Sequence, residues 1–194
     1  MNLRSARCVA LAGTLVFGLV PFSLAPFAEA VEYKAVNAKA STLSFTYQQM
    51  GSSNYGTFGK FEANLDFDTD NPSAAHAALT IDLSSIQAGS DDANTELQKP
   101  AWFDTATYPV ATFESTSIKA LGDNRYTITG KLSLRGLTRE VSVPVQLKSE
   151  SSIGIFVGDL VLKRDDFKIG EGELADSMVS NEIKIRFRMV APQR

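Results

Sequence analysis

Residues 126–147 read YTITGKLSLRGLTREVSVPVQL, and their apolar side chains recur at every second position. Tyr126, Ile128, Leu132 and Leu134 precede the Arg135-Gly136 step, and Val141, Val143, Val145 and Leu147 follow it. A period of two is the period of a β-strand, whose successive side chains point to opposite faces. The spacing therefore predicts two half-buried strands joined by a short connection whose Gly136 tolerates a positive φ. Each strand has one apolar face and one face of Lys, Arg, Ser, Thr and Glu. Such strands must close their apolar faces on each other, and either their own side chains or a foreign molecule then fills the inside.

The same alternation recurs along the chain. Leu43, Phe45 and Tyr47 mark residues 42–49; Phe61, Ala63, Leu65 and Phe67 mark 61–68; Ala77, Leu79, Ile81 and Leu83 mark 77–83; Ile183, Ile185, Phe187 and Met189 mark 183–189. Residues 110–118 carry Phe113, residues 153–162 are apolar on both faces, and residues 33–36 add a short piece. With turn signals such as Asp70-Asn71-Pro72 and Gly122-Asp123-Asn124 between them, these eight or nine strands predict an all-β antiparallel sandwich or barrel. Pro144 cannot donate to a ladder, so the wall should be interrupted or splayed beside Val143 and Val145, with Gly130 in the facing strand compatible with a bend.

One segment lacks the alternation. Residues 90–107 hold Asp91 and Asp92 as helix-starting acceptors and predict one or two short helices around 91–106. Pro100 suits the first turn of the second, which would carry Trp102 and Phe103. These aromatics either plug an end of the barrel as core or form a lid at a cavity mouth.

Residues 1–30 have the three parts of a cleaved secretory signal: Arg4 and Arg7, an uncharged apolar run over 8–20, and Ala28-Glu29-Ala30 before Val31. An uncleaved membrane anchor is the alternative, and Pro21 and Pro26 late in the run favour cleavage. Export would leave residues 31–194 as one domain. The whole chain has 19 Lys and Arg against 22 Asp and Glu, net −3; removing two Arg and one Glu leaves 17 against 21, net −4. That acidity is mild and dispersed, with no basic run of the kind a nucleic-acid surface needs. The one cysteine, Cys8, lies in the signal, so the exported chain has no thiol for a disulfide, a nucleophile or a thiolate metal site.

Catalytic patterns are weak. His76, the only histidine, follows Asn71-Pro72-Ser73 at a strand entrance and reads as a surface residue, and no serine sits in Gly-x-Ser-x-Gly. Asp66, Asp68 and Asp70 imitate the start of a calcium loop, but Asn71 and Ala77 stand where Gly and Glu are needed. Asp165, Asp166, Glu171, Glu173 and Asp176 cluster in sequence and could act as paired carboxylates, although a solvated loop explains them better. The residues predict neither an enzyme nor a metal or cofactor site.

The run LQKPAWFDTATYPVATFES over residues 97–115 contains Phe103-Asp104, Tyr108-Pro109 and Phe113 in order. A Gly-x-Leu-x-Leu-x-Gly-x-Thr run follows over 130–138, and DFKIGEGELADSMVSNEIKI closes the chain over 166–185. This ordered set resembles the YceI-like family of bacterial periplasmic proteins, over nearly all of residues 31–194. The resemblance implies a lipocalin-like antiparallel β-barrel of about eight strands whose elongated interior holds a polyisoprenoid or a similar long-chain amphiphile. Leu174 departs from it, standing where several relatives have an aromatic.

On that reading the interior is lined by Phe45, Tyr47, Phe61, Leu65, Phe67, Leu79, Ile81, Phe113, Ile128, Leu132 and Leu134, with Trp102 near a polar mouth. The expected role is a periplasmic carrier or sequestering protein for an isoprenoid, quinone-like or fatty-acyl lipid, with no cofactor. A quinone-presenting redox partner of a membrane b-type cytochrome, or a lipid-modifying enzyme, is the rival expectation. Transient contact with a membrane or membrane cytochrome, and a homodimer, are left open.

Overall fold

The alternating stretch forms two strands in the computed structural model, β8 (Arg125–Leu134) and β9 (Leu137–Glu150), paired antiparallel from Arg125↔Gln146 to Leu134↔Leu137. Arg135 and Gly136 between them have φ of 49° and 72°, and positive φ at both central residues is what a type I′ hairpin turn demands. Tyr108 also presses against Gly136, its Cε1 only 2.8 Å from where a Cβ would stand. The structure describes residues 30–172 and 178–194; all but the last residue of the expected export signal (residues 1–30), and Glu173, Leu174 and Asp176, lie outside them.

Ahead of this hairpin come β1 (Glu32–Tyr33), β2 (Thr42–Gln49), β3 (Ser52–Phe58), β4 (Phe61–Asp68), β5 (His76–Asp82), β6 (Ile86–Gln87), helix α1 (Asp91–Leu97) and β7 (Val110–Gly122). After it come β10 (Ile153–Lys163) and β11 (Glu182–Pro192). The sheet order is β1-β4-β5-β7-β8-β9-β10-β11-β2-β3-β6, with antiparallel pairing throughout. Its two ends meet through the chain itself. β3 runs into β4 with only Gly59 and Lys60 between them, and β5 runs into β6 through the 3-10 turn Leu83–Ser85. At this corner Gly59 N–H donates to Ser85 O and Asp82 N–H to Lys60 O, each at 3.0 Å. With each bent pair taken as one stave and the two-residue β1 set aside as an addition to the edge of β4, an eight-staved barrel results, as the family resemblance implies.

The sequence reading needs correction at two places. β3 and β6 carried no alternation and were not foreseen. A second helix holding Trp102 and Phe103 does not form: residues 98–107 are a chain of turns, in which Trp102 N–H donates to Lys99 O at 2.9 Å and Tyr108 N–H to Asp104 O at 2.8 Å. Asp104 takes φ 50°, a left-handed step that no helix continues through. Around Pro144 the expectation of a splayed wall holds, because the β9–β10 ladder stops at Val145↔Gly158.

Inward side chains divide into a floor and an upper chamber. The floor packs Tyr33, Phe67, Tyr126 and Phe156, with Phe67 edge-on to Tyr126 (centroids 5.0 Å, planes 88°) and to Phe156 (5.2 Å, 75°). Tyr33 closes on Phe156 at 5.4 Å and 89°. All four sit at one end of the barrel, since Phe67 lies near the end of β4, Tyr33 pairs with it, and Tyr126 and Phe156 lie near the starts of β8 and β10. The opposite end carries α1 and the turns after it.

Candidate functional site

Above the floor the barrel encloses a cavity of about 700 Å³, inside the range of about 300–1,000 Å³ common for small-molecule sites. Its walls come from alternate residues of facing strands. β2 supplies Phe45 and Tyr47, β4 Leu65, β5 Leu79 and Ile81, β7 Phe113, and β8 Ile128, Leu132 and Leu134, with Trp102 from the turns. Ten of the twelve expected lining residues therefore face the cavity.

Phe61 and Phe67 do not line it. Phe61 opens β4 directly after the Gly59-Lys60 corner and is spent packing against both neighbouring core clusters. Phe67, 1% exposed, belongs to the floor. Both point inward as alternation requires, but Phe67 lies at the level of the packed floor, and Phe61, level with Ile81 across the β4–β5 ladder, is taken up by its contacts with neighbouring side chains.

Other lining residues were within reach of the sequence. Ile183, Ile185, Phe187 and Met189 of β11 and Val141, Val143 and Val145 of β9 follow the same alternation and face the cavity. Phe167 and Ile169 face it too, from a 3-10 turn (Arg164–Phe167) and the residues after it, where no periodicity announces them.

Charge is confined to one end. Among the described residues the charged side chains lining the cavity are Glu96, Lys163, Arg164 and Glu171, all from α1 or the 163–171 segment. α1 is held by Ser90, whose Oγ accepts from Ala93 N–H at 3.2 Å, and by Asn94, whose Oδ1 accepts from Ala88 N–H at 2.6 Å. It turns Ala93 and Leu97 to the cavity. Tyr47, at the same end of β2, donates to Ala88 O at 3.1 Å, and burial pushes its phenol above the usual tyrosine value.

Arg164 ties this mouth together. Only 4% exposed, it donates from Nε to Ser180 O (2.9 Å), from Nη1 to Ile169 O (2.7 Å) and Gly170 O (3.1 Å), and from Nη2 to Val179 O (2.8 Å). Its guanidinium lies 5.8 Å from the centroid of Trp102. Gly170, at φ 71°, lets the backbone pass beneath that indole, whose Cζ3 is 2.6 Å from where a Cβ would stand. Trp102 is thus both lining and part of the rim. Arg164→Ala strands several buried carbonyls at once and should lower stability by about 2–4 kcal/mol. Urea unfolding checks this; Arg164→Lys should recover less than half, because an ammonium cannot reproduce the fork of donors.

Among the described residues the acidic cluster does not converge. Asp165 accepts from Asn181 Nδ2 at 2.7 Å, while Glu171 faces Arg135 Nη1 at 3.5 Å. His76, half exposed, lies on the outside against Glu114 Oε1 at 2.6 Å.

An eight-staved antiparallel barrel with an apolar chamber, a packed floor and a charged rim defines a β-barrel built around an internal cavity. The chain belongs to the YceI-like family, whose domain model matches residues 34–191. It is 38% identical over 106 residues to Protein YceI of Escherichia coli O157:H7, covering 54% of this chain and 55% of that one. A UPF0312 protein of Ectopseudomonas mendocina is 29% identical over 167 residues, covering 83% and 84%. Among solved structures, Burkholderia cenocepacia BcnA matches with a TM-score of 0.78 at 38% identity, over 80% of this chain and 99% of that one. A polyisoprenoid binding domain from Saccharophagus degradans matches with a TM-score of 0.63 at 21% identity, over 84% and 99%, which shows a shared fold.

Proposed function

We propose that this protein is a periplasmic carrier or sequestering protein that holds the hydrocarbon chain of an isoprenoid, quinone-like or fatty-acyl lipid and performs no chemistry on it. The observation that carries this reading is the cavity: about 700 Å³, walled by aliphatic and aromatic side chains, with the charged groups among the described lining residues gathered at the α1 end. A hydrocarbon tail gains from such a wall, and a charged or polar head finds its partners at the rim. The polyisoprenoid binding domain of Saccharophagus degradans, which shares the fold, supports that ligand class.

Burying a methylene contributes about 0.8 kcal/mol, so a tail of tens of carbons would formally exceed the practical ceiling of roughly 18–21 kcal/mol. Ordering and desolvation absorb the surplus, and unassisted release into water is slow. The lipid is therefore handed over in contact with a membrane or an acceptor protein.

Native mass spectrometry of the gently purified protein, followed by solvent extraction, tests the proposal. The expected result is a noncovalent adduct that leaves on collision and appears unaltered in the organic phase. A bare chain that also takes up no polyisoprenol from vesicles would count against carriage, and a chemically altered lipid would favour the lipid-modifying enzyme. The same spectrum gives the chain mass, expected to be that of residues 31–194 after export.

A further inference from the structure

The wall of the barrel is split along one side. β9 is 14 residues long, yet β10 pairs only with its far part, from Glu150↔Ile153 to Val145↔Gly158. β9 stays paired with β8 back to Leu137, and β10 stays paired with β11 out to Lys163↔Glu182. Each strand keeps its other neighbour while the two lose each other.

Pro144 stands where the ladder ends. Its carbonyl oxygen lies 2.8 Å from the place a Cβ would occupy on Gly158, so that oxygen is turned toward β10. In a strand a residue's N–H and C=O point to the same side, and proline has no N–H to offer there. The next rung is missing its donor, and the strands diverge beyond it.

The divergence holds a cleft of about 450 Å³ between Arg139, Val141 and Pro144 of β9 and Leu160, Val161 and Lys163 of β10. Val141, Leu160, Leu162, Lys163 and Phe167 border this cleft and the central cavity at once, so a single layer of side chains separates the two spaces. On the outer lip Val161 is left 52% exposed.

We propose that this split is a lateral opening through which a ligand's hydrocarbon tail passes sideways into and out of the barrel; the proposal rests on the lipid-carrying reading above. An amphiphile leaves a bilayer head first. If the mouth were the sole route, its tail would have to swing through water and thread in end-on, and every methylene so exposed would raise the barrier. A slit in the wall lets the tail move from one apolar surroundings to the other while the head remains wet. Pro144 keeps the slit from zipping shut.

The test bridges the slit. Ser142 and Val161, both exposed, would stand opposite each other if the β9–β10 register continued past Val145↔Gly158. Ser142→Cys and Val161→Cys, with Cys8→Ser removing the one native thiol, are joined by a phenylene bis-maleimide or, as control, capped with N-ethylmaleimide. Uptake of pyrene-dodecanoic acid from phosphatidylcholine vesicles is followed by loss of excimer emission. The bridged protein should load at least about tenfold more slowly than the capped one, with the amount bound at equilibrium retained. Pro144→Val, which restores a donor without any cross-link, should slow uptake in the same direction. Equal rates in bridged and capped protein overturn the lateral opening. A capped protein that binds no probe at equilibrium sinks the lipid-carrying reading itself, and the two failures are read from different measurements.

Discussion

Phe113→Asp should abolish lipid retention in a protein that still folds. Phe113 lies midway along the wall, opposite Leu79 on one side and Leu132 on the other, and all three face the cavity. In the empty barrel a carboxylate at this position borders open space and keeps water around it, so the folded state tolerates it. When a tail fills the chamber the water is expelled, and the charge is left in hydrocarbon with no partner among the wall residues beside it. An unpaired charge so placed costs several kcal/mol, and about 4 kcal/mol is about a thousandfold in affinity. Titration with a fluorescent fatty acid reads the loss, and circular dichroism with urea unfolding shows that the barrel survives. Phe113→Leu, which keeps the wall apolar, should bind within about tenfold of the parent. Undiminished binding by a folded Phe113→Asp protein would mean that the chamber is not where the lipid goes.

That prediction could be framed from alternation; its partner could not, and the difference shows where the sequence stops informing. The strands with a one-sided period emerged with their bounds: β2 and β4 occupy the stretches 42–49 and 61–68 read from Phe45, Tyr47, Leu65 and their neighbours. β3 stayed hidden because Ser52, Ser53 and Asn54 carry no apolar signal and Tyr55 points outward, 62% exposed. It exists because Met50 and Gly51, at φ 50° and 81°, fold the chain back onto β2, a turn dictated by backbone conformation and cross-strand pairing. The turns at 98–107 replaced a helix because Asp104 takes a left-handed conformation and Ala101 O is taken by Gly170 N–H at 2.8 Å, a contact from far along the chain. For the site, alternation says which face a residue is on and nothing about its level along the barrel axis. Phe67 and Phe113 have the same inward sense, yet one is floor and the other wall. Depth depends on which other rings arrive at the same level, and those come from β1, β8 and β10.

Phe67→Ala should therefore have the opposite signature, a large loss of stability with lipid retained. The side chain is 1% exposed and meets Tyr126 and Phe156 edge-on at 5.0 and 5.2 Å. Deleting such a ring removes its transfer free energy and leaves a hole that stiff aromatic neighbours cannot close, a cost of about 3–5 kcal/mol. For a domain of this size the midpoint of thermal unfolding should fall by roughly 6–20 °C. Below that midpoint the chamber wall is intact, and the new void adjoins its lower end, so the folded protein should still bind the fluorescent fatty acid within about tenfold of the parent. The two substitutions form a crossed pair: one ring removed from the floor costs the fold and spares the ligand, one charge added to the wall costs the ligand and spares the fold. If Phe67→Ala lost the lipid while melting normally, the aromatic cluster would be part of the binding surface and the chamber would extend to the end of the barrel.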